Sequence, residues 1–298
     1  MVQVAIIGAN SYIARNLIYC MNRENIGLLT LYDIQNQFAD EFSSYKSIDF
    51  MSDESLQGIN WDADVIYFFT GKTGTEQGFE DYSSYIDINE IFLLRFLQKY
   101  IKNKCKARVI FPSTRLVYKG NEDSTLKEDA EKEFKTVYAL NKYSCERYLE
   151  MYENRYHLNY TILRICIPYG SLVGDCKSYG TIGFFLQKAQ QKNNICVYGD
   201  GLQRRTFTHI KDLCNVMMKA AANPQCQNDV FNIGGESMSL LDVASQIAKK
   251  YNVSVVHAPW PEVIYRLESG STVFDSNKLD TVLQNNYPHS FSEWVKLL

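Results

Sequence analysis

The sequence predicts an α/β fold with a doubly wound parallel sheet. Apolar runs of the length expected for strands buried on both faces occupy residues 2–7, 64–69 and 109–111. Helical segments such as residues 86–101 separate these runs, so that strands and helices alternate along the chain. This alternation indicates right-handed βαβ units, because parallel neighbours must be joined by a crossover.

Length and composition are those of a globular protein with one large domain or two closely packed ones. The 298 residues are 46% hydrophobic and 22% charged. A formal net charge of −3 gives no electrostatic reason to expect a nucleic-acid partner. No apolar run reaches about 18 residues and a strand begins at residue 2, so we expect neither a membrane span nor a signal peptide.

Eight cysteines are scattered singly, without a C-x-x-C pair or a Cys/His spacing that suits a metal. They lie at positions 20, 105, 145, 166, 176, 196, 214 and 226. This pattern is typical of reduced, mostly buried thiols. We therefore expect a cytoplasmic protein without a disulfide framework and without a metal site.

The turn after the first strand suits the binding of a dinucleotide. The segment G-A-N-S-Y-I-A at residues 8–14 leads from a strand into a helix, whose N-terminus is an anion site for a pyrophosphate. Gly8 can form the tight turn, whereas Ser11 replaces the glycine that normally lets the backbone approach the phosphates. The predicted contacts are Gly8, Ser11, Tyr12 and Ile13. A plain strand–turn–helix is the alternative.

An acidic residue at the end of the second strand predicts the type of dinucleotide. Asp33 follows the apolar run at residues 28–32, in a position that suits a ribose 2′-hydroxyl and repels a 2′-phosphate. Residues 34–37 include no Arg or Lys, so NAD is preferred to NADP. A solvated loop acid is the alternative for Asp33. Phe69 and Thr70, at the end of a later strand, are assigned to the same cofactor site.

Tyr138 and Lys142 form the candidate catalytic pair. The segment Y-A-L-N-K is expected to be helical, so the two side chains lie one turn apart on the same face. The ammonium favours the phenolate and lowers the tyrosine pKa from its reference value of about 10. Such a tyrosine can take a proton from an alcohol or return one to a carbonyl. With 21 tyrosines in the chain, a chance match is the alternative for the motif alone.

Five segments occur in an order that is more specific than any one of them. They are F-P-S-T-R-L-V-Y at residues 111–118, Y-A-L-N-K at 138–142, L-R-I-C-I-P-Y-G at 163–170, Y-G-D-G-L-Q-R-R-T-F at 198–207 and F-N-I-G-G at 231–235. From residue 2 to about 280, the chain resembles an extended short-chain dehydrogenase/reductase. More narrowly, it resembles the NAD-dependent nucleotide-sugar epimerase/dehydratase family, and within it UDP-glucose 4-epimerase-like enzymes. The resemblance implies a Rossmann fold, NAD as cofactor and a nucleotide-sugar substrate.

The resemblance also implies roles for three catalytic residues. Thr114 matches the family's active-site Ser/Thr, whose hydroxyl holds the substrate oxygen. Tyr138 would exchange the proton, while Lys142 would bind the nicotinamide ribose and lower the tyrosine pKa. The alternative for Thr114 is a residue that merely ends a strand.

Further cofactor contacts follow from the resemblance alone. Asn89 matches the Asn on the helix after the fourth strand, and Asp49 and Phe50 match the pair that meets adenine. Pro168 and Tyr169 lie where the family lines the nicotinamide pocket. The alternatives are a helix-surface amide for Asn89 and core packing for the aromatic residues and the proline.

Two arginines are implied for the substrate diphosphate. Arg205 and Asp212 match the Arg and Asp of the family's G-D-G-x-x-x-R…D segment. The guanidinium of Arg205 is a fork of donors that suits a diphosphate, although a surface charge is the alternative. Arg266 resembles, more loosely, a second diphosphate-facing arginine near the C-terminus.

Departures from the family pattern narrow the reaction. The 4,6-dehydratases carry Asp-Glu after the active-site Thr to expel the C6 hydroxyl, and here these positions are Arg115 and Leu116. The Glu of the related decarboxylases is also absent, and Ile167 replaces the Asn of many epimerases. We therefore expect an NAD-dependent epimerase that acts at C4 through a 4-keto intermediate. The alternatives are a 4-ketosugar reductase that consumes NAD(P)H and a non-catalytic NAD-binding regulatory protein.

We expect one part of the chain to bind NAD and another to bind the substrate. Residues 1–170 would bind NAD, with residues 202–234 returning to that domain. Residues 171–201 and 235–298 would form a smaller substrate-binding part over the carboxyl ends of the strands.

The resemblance also implies a homodimer. The family usually builds a helix bundle between subunits from the helices near residues 86–101 and 138–155. The aromatic residues that would supply this surface, or pack internally, are Tyr85, Phe92, Phe96, Tyr148 and Tyr152.

Overall fold

The computed structural model describes residues 2–35, 44–174 and 180–298. Asn36, Gln37 and Cys176, which enter the sequence interpretation, lie outside the described residues. Within the described ranges, no helix combines the length and the apolarity needed to cross a lipid bilayer.

Twelve strands and twelve α-helices make up the described chain. The strands are β1 Gln3–Ile7, β2 Leu28–Asp33, β3 Tyr45–Ser47, β4 Val65–Phe68, β5 Arg108–Thr114, β6 Tyr160–Ile165, β7 Ile167–Tyr169, β8 Ile195–Tyr198, β9 Arg204–His209, β10 Asp229–Asn232, β11 Glu236–Ser239 and β12 Val255–Ala258. The helices are α1 Tyr12–Arg23, α2 Asp53–Leu56, α3 Gln77–Glu80, α4 Tyr82–Ile86, α5 Phe92–Lys102, α6 Val137–Tyr156, α7 Gly180–Gln190, α8 Ile210–Ala222, α9 Leu240–Tyr251, α10 Glu262–Leu267, α11 Asn277–Leu283 and α12 Phe291–Leu297. A π-helical stretch, Asp87–Ile91, joins α4 to α5.

The largest sheet confirms the predicted fold class. Its strand order is β10-β6-β5-β4-β1-β2-β3, and every neighbouring pair is parallel. The chain winds outwards in both directions from the gap between β1 and β4, which is the topological switch point where such sheets bind ligands. The described chain also forms two smaller sheets, β11-β9-β7 and β12-β8.

Helices cover both faces of the large sheet because its strands are apolar on both sides. Along β1, Val4 and Ile6 pack into one core with α1 and α8. Ala5 and Ile7 pack into the other core with α5 and α6. Successive residues of a strand point to opposite faces, so a continuous apolar run is what such a strand requires.

Helix α6 carries the predicted catalytic pair and begins beside it. Thr136 caps the helix, since its Oγ1 accepts a hydrogen bond from the backbone N–H of Ala139 at 3.0 Å. The helix ends at Tyr156 and is followed by the C-cap residue His157, which adopts the left-handed conformation with φ of 59°. The cap fixes the start of the helix immediately before Tyr138, so Tyr138 and Lys142 lie on consecutive helical turns.

The C-terminal part has its own core, but the chain passes between the two parts more often than the sequence predicts. This core joins α7, α9 and α12 to the smaller sheets. Strand β9, expected to return to the first domain, pairs with β7 and β11 instead of the large sheet. Helix α11, expected in the substrate part, buries Leu279 in the core beneath α8, with Val282 and Leu283 packed against it. These three residues form one apolar stripe at helical spacing.

Candidate active site

A pocket of about 570 Å³ opens beside the switch point of the large sheet. Its walls come from the β1–α1 turn, the loop after β4, the ends of β5 and β6, and the first turns of α6 and α7. The sequence-predicted residues that line it are Ser11, Tyr12, Ile13, Phe69, Thr114, Tyr138, Lys142 and Pro168. The structure therefore brings the three predicted catalytic residues together with much of the predicted cofactor site.

Lys142 is a buried ammonium that lines this pocket. Its Nζ donates a hydrogen bond to the carbonyl oxygen of Pro112 at 2.8 Å and lies 4.3 Å from the centroid of the Phe111 ring. Burial lowers the pKa of Lys142 to about 8. At neutral pH the side chain is therefore mostly charged, one helical turn from Tyr138.

Thr114 ends β5 and also faces the pocket. Its Oγ1 accepts a hydrogen bond from the backbone N–H of Leu116 at 3.3 Å and so caps a short 3₁₀ turn, Arg115–Val117. This bond uses an oxygen lone pair, and the hydroxyl proton is left to donate to a ligand oxygen. Thr114 therefore both ends a strand and lines the pocket, so the two interpretations of this residue are compatible.

Behind these residues lies a buried ion pair that the sequence interpretation missed. Arg164 on β6 contacts Glu146 on α6 through two hydrogen bonds, Nη2 to Oε2 at 2.6 Å and Nε to Oε1 at 3.0 Å. Ser113 Oγ donates to the same carboxylate at 2.5 Å, and Arg164 Nη1 donates to the hydroxyl of Tyr118 at 2.6 Å. Because Ser113 directly precedes Thr114, this network ties β5, β6 and α6 together behind the pocket.

The β1–α1 turn fits the phosphates of a dinucleotide. Gly8 has φ of +82°, and a Cβ there would lie 2.6 Å from the backbone nitrogen of Thr70. Among the described residues, the buried hydroxyl oxygens of Ser11 and Thr70 have no hydrogen-bond partner. Buried hydroxyls are seldom left without a partner, so two of them beside a helix N-terminus match an anionic ligand.

Asp33 lies next to this turn and is only 9% exposed, which excludes the solvated loop acid. Its Oδ2 accepts a hydrogen bond from the backbone N–H of Asn10 at 2.9 Å, and its Oδ1 accepts one from Ile34 at 2.8 Å. These bonds hold a carboxylate at the end of β2, where a ribose diol is bound in dinucleotide folds.

Asp49 and Phe50, predicted to meet adenine, differ in exposure. Asp49 is exposed, and its Oδ1 accepts a hydrogen bond from the backbone N–H of Met51 at 2.9 Å. Phe50 is buried and stacks on Phe92 with the ring centroids 4.5 Å apart. The Phe50 side chain thus packs in the core, which was the stated alternative.

Asn89 holds a loop that the sequence interpretation did not assign to the pocket. Its Oδ1 accepts a hydrogen bond from the backbone N–H of Lys72 at 2.8 Å, and its Nδ2 donates to the Lys72 carbonyl at 3.1 Å. Gly71 and residues 73–75 of this loop line the pocket. The loop follows a central parallel strand, and ligands bind at the carboxyl ends of such strands. This position in the sequence could therefore have indicated that the loop lines the pocket. Asn89 is buried and therefore is not a helix-surface amide.

Pro168 and Tyr169 point in opposite directions because they are consecutive residues of β7. Pro168 lines the pocket. Tyr169 is completely buried in the C-terminal core, with its ring 5.0 Å from that of Phe291 and its hydroxyl donating to the carbonyl oxygen of His289 at 3.1 Å. The Tyr169 side chain is therefore core packing, and Pro168 alone of this pair faces the predicted nicotinamide site.

The two predicted substrate arginines lie in different surroundings. Arg205 on β9 is 1% exposed, and its guanidinium donates to the Glu268 carboxylate and to the carbonyl oxygen of Gly270. Burial, together with a nearby guanidinium, lowers the pKa of Arg205 to about 10. Arg266 on α10 is exposed and pairs with Glu262 of the same helix. Arg205 is thus not a surface charge, whereas Arg266 is one.

Curated relatives match part of this chain. It is 31% identical over 208 residues to the UDP-N-acetyl-alpha-D-glucosaminuronate decarboxylase of Bacillus cytotoxicus, which covers 67% of this chain and 64% of that protein. It is 25% identical over 217 residues to the CDP-paratose 2-epimerase of Salmonella typhi, which covers 64% of each. The matches therefore span slightly less than two thirds of these relatives' length.

Solved structures match almost the whole chain. A UDP-glucose 4-epimerase of Thermotoga maritima with UDP-glucose superposes with a TM-score of 0.86 at 20% identity, covering 99% of this chain and 96% of that one. A UDP-glucose 4-epimerase of Thermus thermophilus in complex with NAD gives a TM-score of 0.84 at 17% identity, covering 99% and 97%. At these identities the likeness shows the fold.

A family match covers most of the same region. The model of the NAD dependent epimerase/dehydratase family matches residues 4–234. This range includes the glycine turn, Asp33 and the pocket residues Thr114, Tyr138 and Lys142. The buried hydroxyls of Ser11 and Thr70, which have no partner among the described residues, fit the phosphates of NAD, the cofactor named in the description of the family. The chain therefore uses NAD, and it belongs to the NAD dependent epimerase/dehydratase family of enzymes.

Proposed function

We propose that this chain is an NAD-dependent epimerase of a nucleotide-linked sugar, and that it inverts C4 through a transient 4-keto sugar. The observation that supports this most is the shared pocket of Thr114, Tyr138 and Lys142 beside the β1–α1 turn. An alcohol carbon bound there meets the acid–base residues and the cofactor site in one cavity. Reversible oxidation of that carbon requires both.

The roles of the residues follow from their chemistry. NAD supplies the reversible oxidation of the sugar carbon when it is bound. Tyr138, ionised with the help of the Lys142 charge, removes the proton of the C4 hydroxyl and later returns it to the same oxygen. Thr114 donates a hydrogen bond to that oxygen and holds it during both proton transfers. Since the sugar leaves in its original oxidation state, the residues end the cycle in their starting protonation states.

The lining of the pocket favours epimerisation over dehydration. Loss of a hydroxyl group as water needs an acid and a base beside the leaving oxygen. Among the described lining residues there is no Asp or Glu, and the two residues after Thr114 are Arg115 and Leu116. The described lining therefore supports proton transfer at one oxygen through Tyr138, and none of its residues supplies a carboxyl group for an elimination.

We further assign the ligand contacts as follows. The hydroxyls of Ser11 and Thr70 serve the NAD phosphates, and the Asp33 carboxylate serves the adenosine ribose. Arg205 serves the substrate diphosphate and exchanges Glu268 for phosphate oxygens when the substrate binds. The support for this exchange is that the guanidinium is already held in a buried position near the start of β9.

A homodimer in the cytoplasm completes the proposal, with a revised dimer surface. Tyr85, Phe92 and Phe96 are completely buried within the chain, so they pack internally. The same helical region exposes other apolar side chains, which are Ile86, Leu140 and Met151. The seven described cysteines are free thiols, which suits a reducing compartment.

Cofactor balance tests the proposed function. Purified protein should retain bound NAD and interconvert C4 epimers in a panel of UDP-, dTDP- and GDP-sugars without added cofactor. Stoichiometric oxidation of NAD(P)H with a 4-keto sugar would instead establish the reductase alternative, which uses the same three residues. Retained NAD without conversion of any sugar would establish the non-catalytic alternative.

A further inference from the structure

Arg115 is a cationic residue that lines the pocket. It directly follows Thr114 and lines the same cavity as Tyr138. Its Nη1 donates hydrogen bonds to the hydroxyl oxygens of Ser269 at 3.0 Å and Thr272 at 3.4 Å. Both acceptors are neutral, so they orient the side chain without neutralising its charge.

Among the described residues, no carboxylate forms an ion pair with Arg115. A guanidinium has five N–H donors, and the hydrogen bonds of Arg115 to described residues use Nη1 alone. The neighbouring Arg205 takes the nearby carboxylate, that of Glu268. No Asp or Glu is among the described residues that line the pocket, and the other charged side chain there is the cation Lys142.

A half-buried cation without a counter-charge is costly unless a ligand supplies one. The planar fork of an arginine matches a carboxylate through two parallel hydrogen bonds. Arg115 directly follows Thr114, whose hydroxyl we assign to the reacting sugar oxygen, so we assign Arg115 to the sugar end of the substrate and Arg205 to the diphosphate.

We propose that Arg115 binds a carboxylate carried by the sugar, so that the preferred substrate is a nucleotide-linked sugar acid. This inference rests on the proposed epimerase function and specifies its substrate class. Two observations support this proposal. Arg115 has N–H donors without a described partner, and no acidic residue is among the described residues that line the pocket.

Matched substrate pairs test the proposal. UDP-glucuronate is compared with UDP-glucose, and the corresponding dTDP and GDP pairs are assayed alongside. For the wild-type protein, kcat/KM should be at least about tenfold higher for the acid than for the neutral sugar of a pair. Arg115→Gln should lower this ratio by about ten- to a hundredfold, because a charge-assisted hydrogen bond is lost. Arg115→Lys should keep part of it, and Arg155→Gln, at an exposed arginine of α6, should leave it unchanged.

Two outcomes would overturn the inference and leave the epimerase proposal intact. One is a wild-type kcat/KM that is equal or higher for the neutral sugar. The other is an Arg115→Gln variant that loses both sugars of a pair equally, as expected if the arginine binds the diphosphate. If Arg115→Gln does not fold, the wild-type preference and the Lys variant decide. Failure of wild-type protein with bound NAD to convert any pair would refute the epimerase proposal and, with it, this inference.

Discussion

The proposed catalytic residues and Arg205 are held in different ways. Thr114 lies at the end of β5, and Tyr138 and Lys142 lie in the first turns of α6. Behind the pocket, these two elements are joined by the buried network around Arg164 and Glu146. Arg205 on β9 instead points its donors at a carboxylate of its own chain, that of Glu268.

We infer from this difference that the pocket around Thr114 and Lys142 is preformed, whereas Arg205 must exchange Glu268 for the substrate. The described hydrogen bonds of Thr114 and Lys142 are made to backbone groups, so we expect these two side chains to need no rearrangement before the sugar binds. A diphosphate at Arg205 must displace Glu268, so part of its binding free energy is offset by the lost ion pair. We therefore expect catalysis to depend on the first group and substrate affinity on the second.

The largest expected effect comes from removing the phenol. Tyr138→Phe should lower kcat by about 10²–10⁴-fold, because the proton at the sugar oxygen loses its acceptor. Retained NAD, measured by nucleotide release from denatured protein, should match the wild-type amount. Turnover within about threefold of wild type would mean that another group exchanges the proton.

Breaking the buried network behind Thr114, Tyr138 and Lys142 should affect folding stability most. Glu146→Gln leaves the Arg164 charge buried and uncompensated, so the free energy of unfolding should fall by about 3–5 kcal/mol in urea titrations. Glu131→Gln is the matched control, because its 3.0 Å pair with Lys119 is exposed and should contribute less than about 1 kcal/mol. Equal effects of the two substitutions would contradict a supporting role for the buried pair.

Substitutions of Arg205 and Arg266 should differ in their effects on substrate binding. Arg205→Gln should lower kcat/KM by about ten- to a hundredfold, mainly through KM, because a charge-assisted contact to the diphosphate is lost. Arg266→Gln removes an exposed pair within α10 and should change kcat/KM by less than about threefold. A larger effect at Arg266 than at Arg205 would reverse the assignment.

The smallest effect concerns pH. Lys142→Met removes the charge that favours the Tyr138 phenolate, so the acidic limb of the kcat/KM profile should move to higher pH by about one unit. Because burial lowers the pKa of Lys142 to about 8, the wild-type lysine loses its charge as the pH rises through that value, and the two proteins should then converge. Lys249→Met, at an exposed position on α9, should leave the profile unchanged.

The sequence predicted the large sheet well because its features are local. The apolar run at residues 2–7 contains β1, and the run at 28–32 with Asp33 is β2. Alternating faces and turn residues suffice to place such strands. The placement of Tyr138 and Lys142 one turn apart on α6 was predictable for the same reason, since a four-residue spacing within one helix determines which side chains share a face.

Contacts between distant segments were not predictable in this way. The pairing of Arg164 with Glu146 depends on β6 and α6 packing face to face, and that of Arg205 with Glu268 joins residues 63 apart. Tyr169 was assigned to the pocket, together with Pro168, from the resemblance to the family, whereas strand alternation turns its side chain into the C-terminal core. Such outcomes depend on tertiary packing, which the spacing of residues along the chain does not specify.

Transfer of a label at C4 tests the central claim most directly. A nucleotide sugar that carries deuterium on C4 is incubated with the purified protein and bound NAD, and the product is analysed by NMR. We predict inversion at C4 with the deuterium still on that carbon. Loss of the label to solvent, or a product with C4 unchanged, would contradict oxidation and return of the same hydrogen within this pocket.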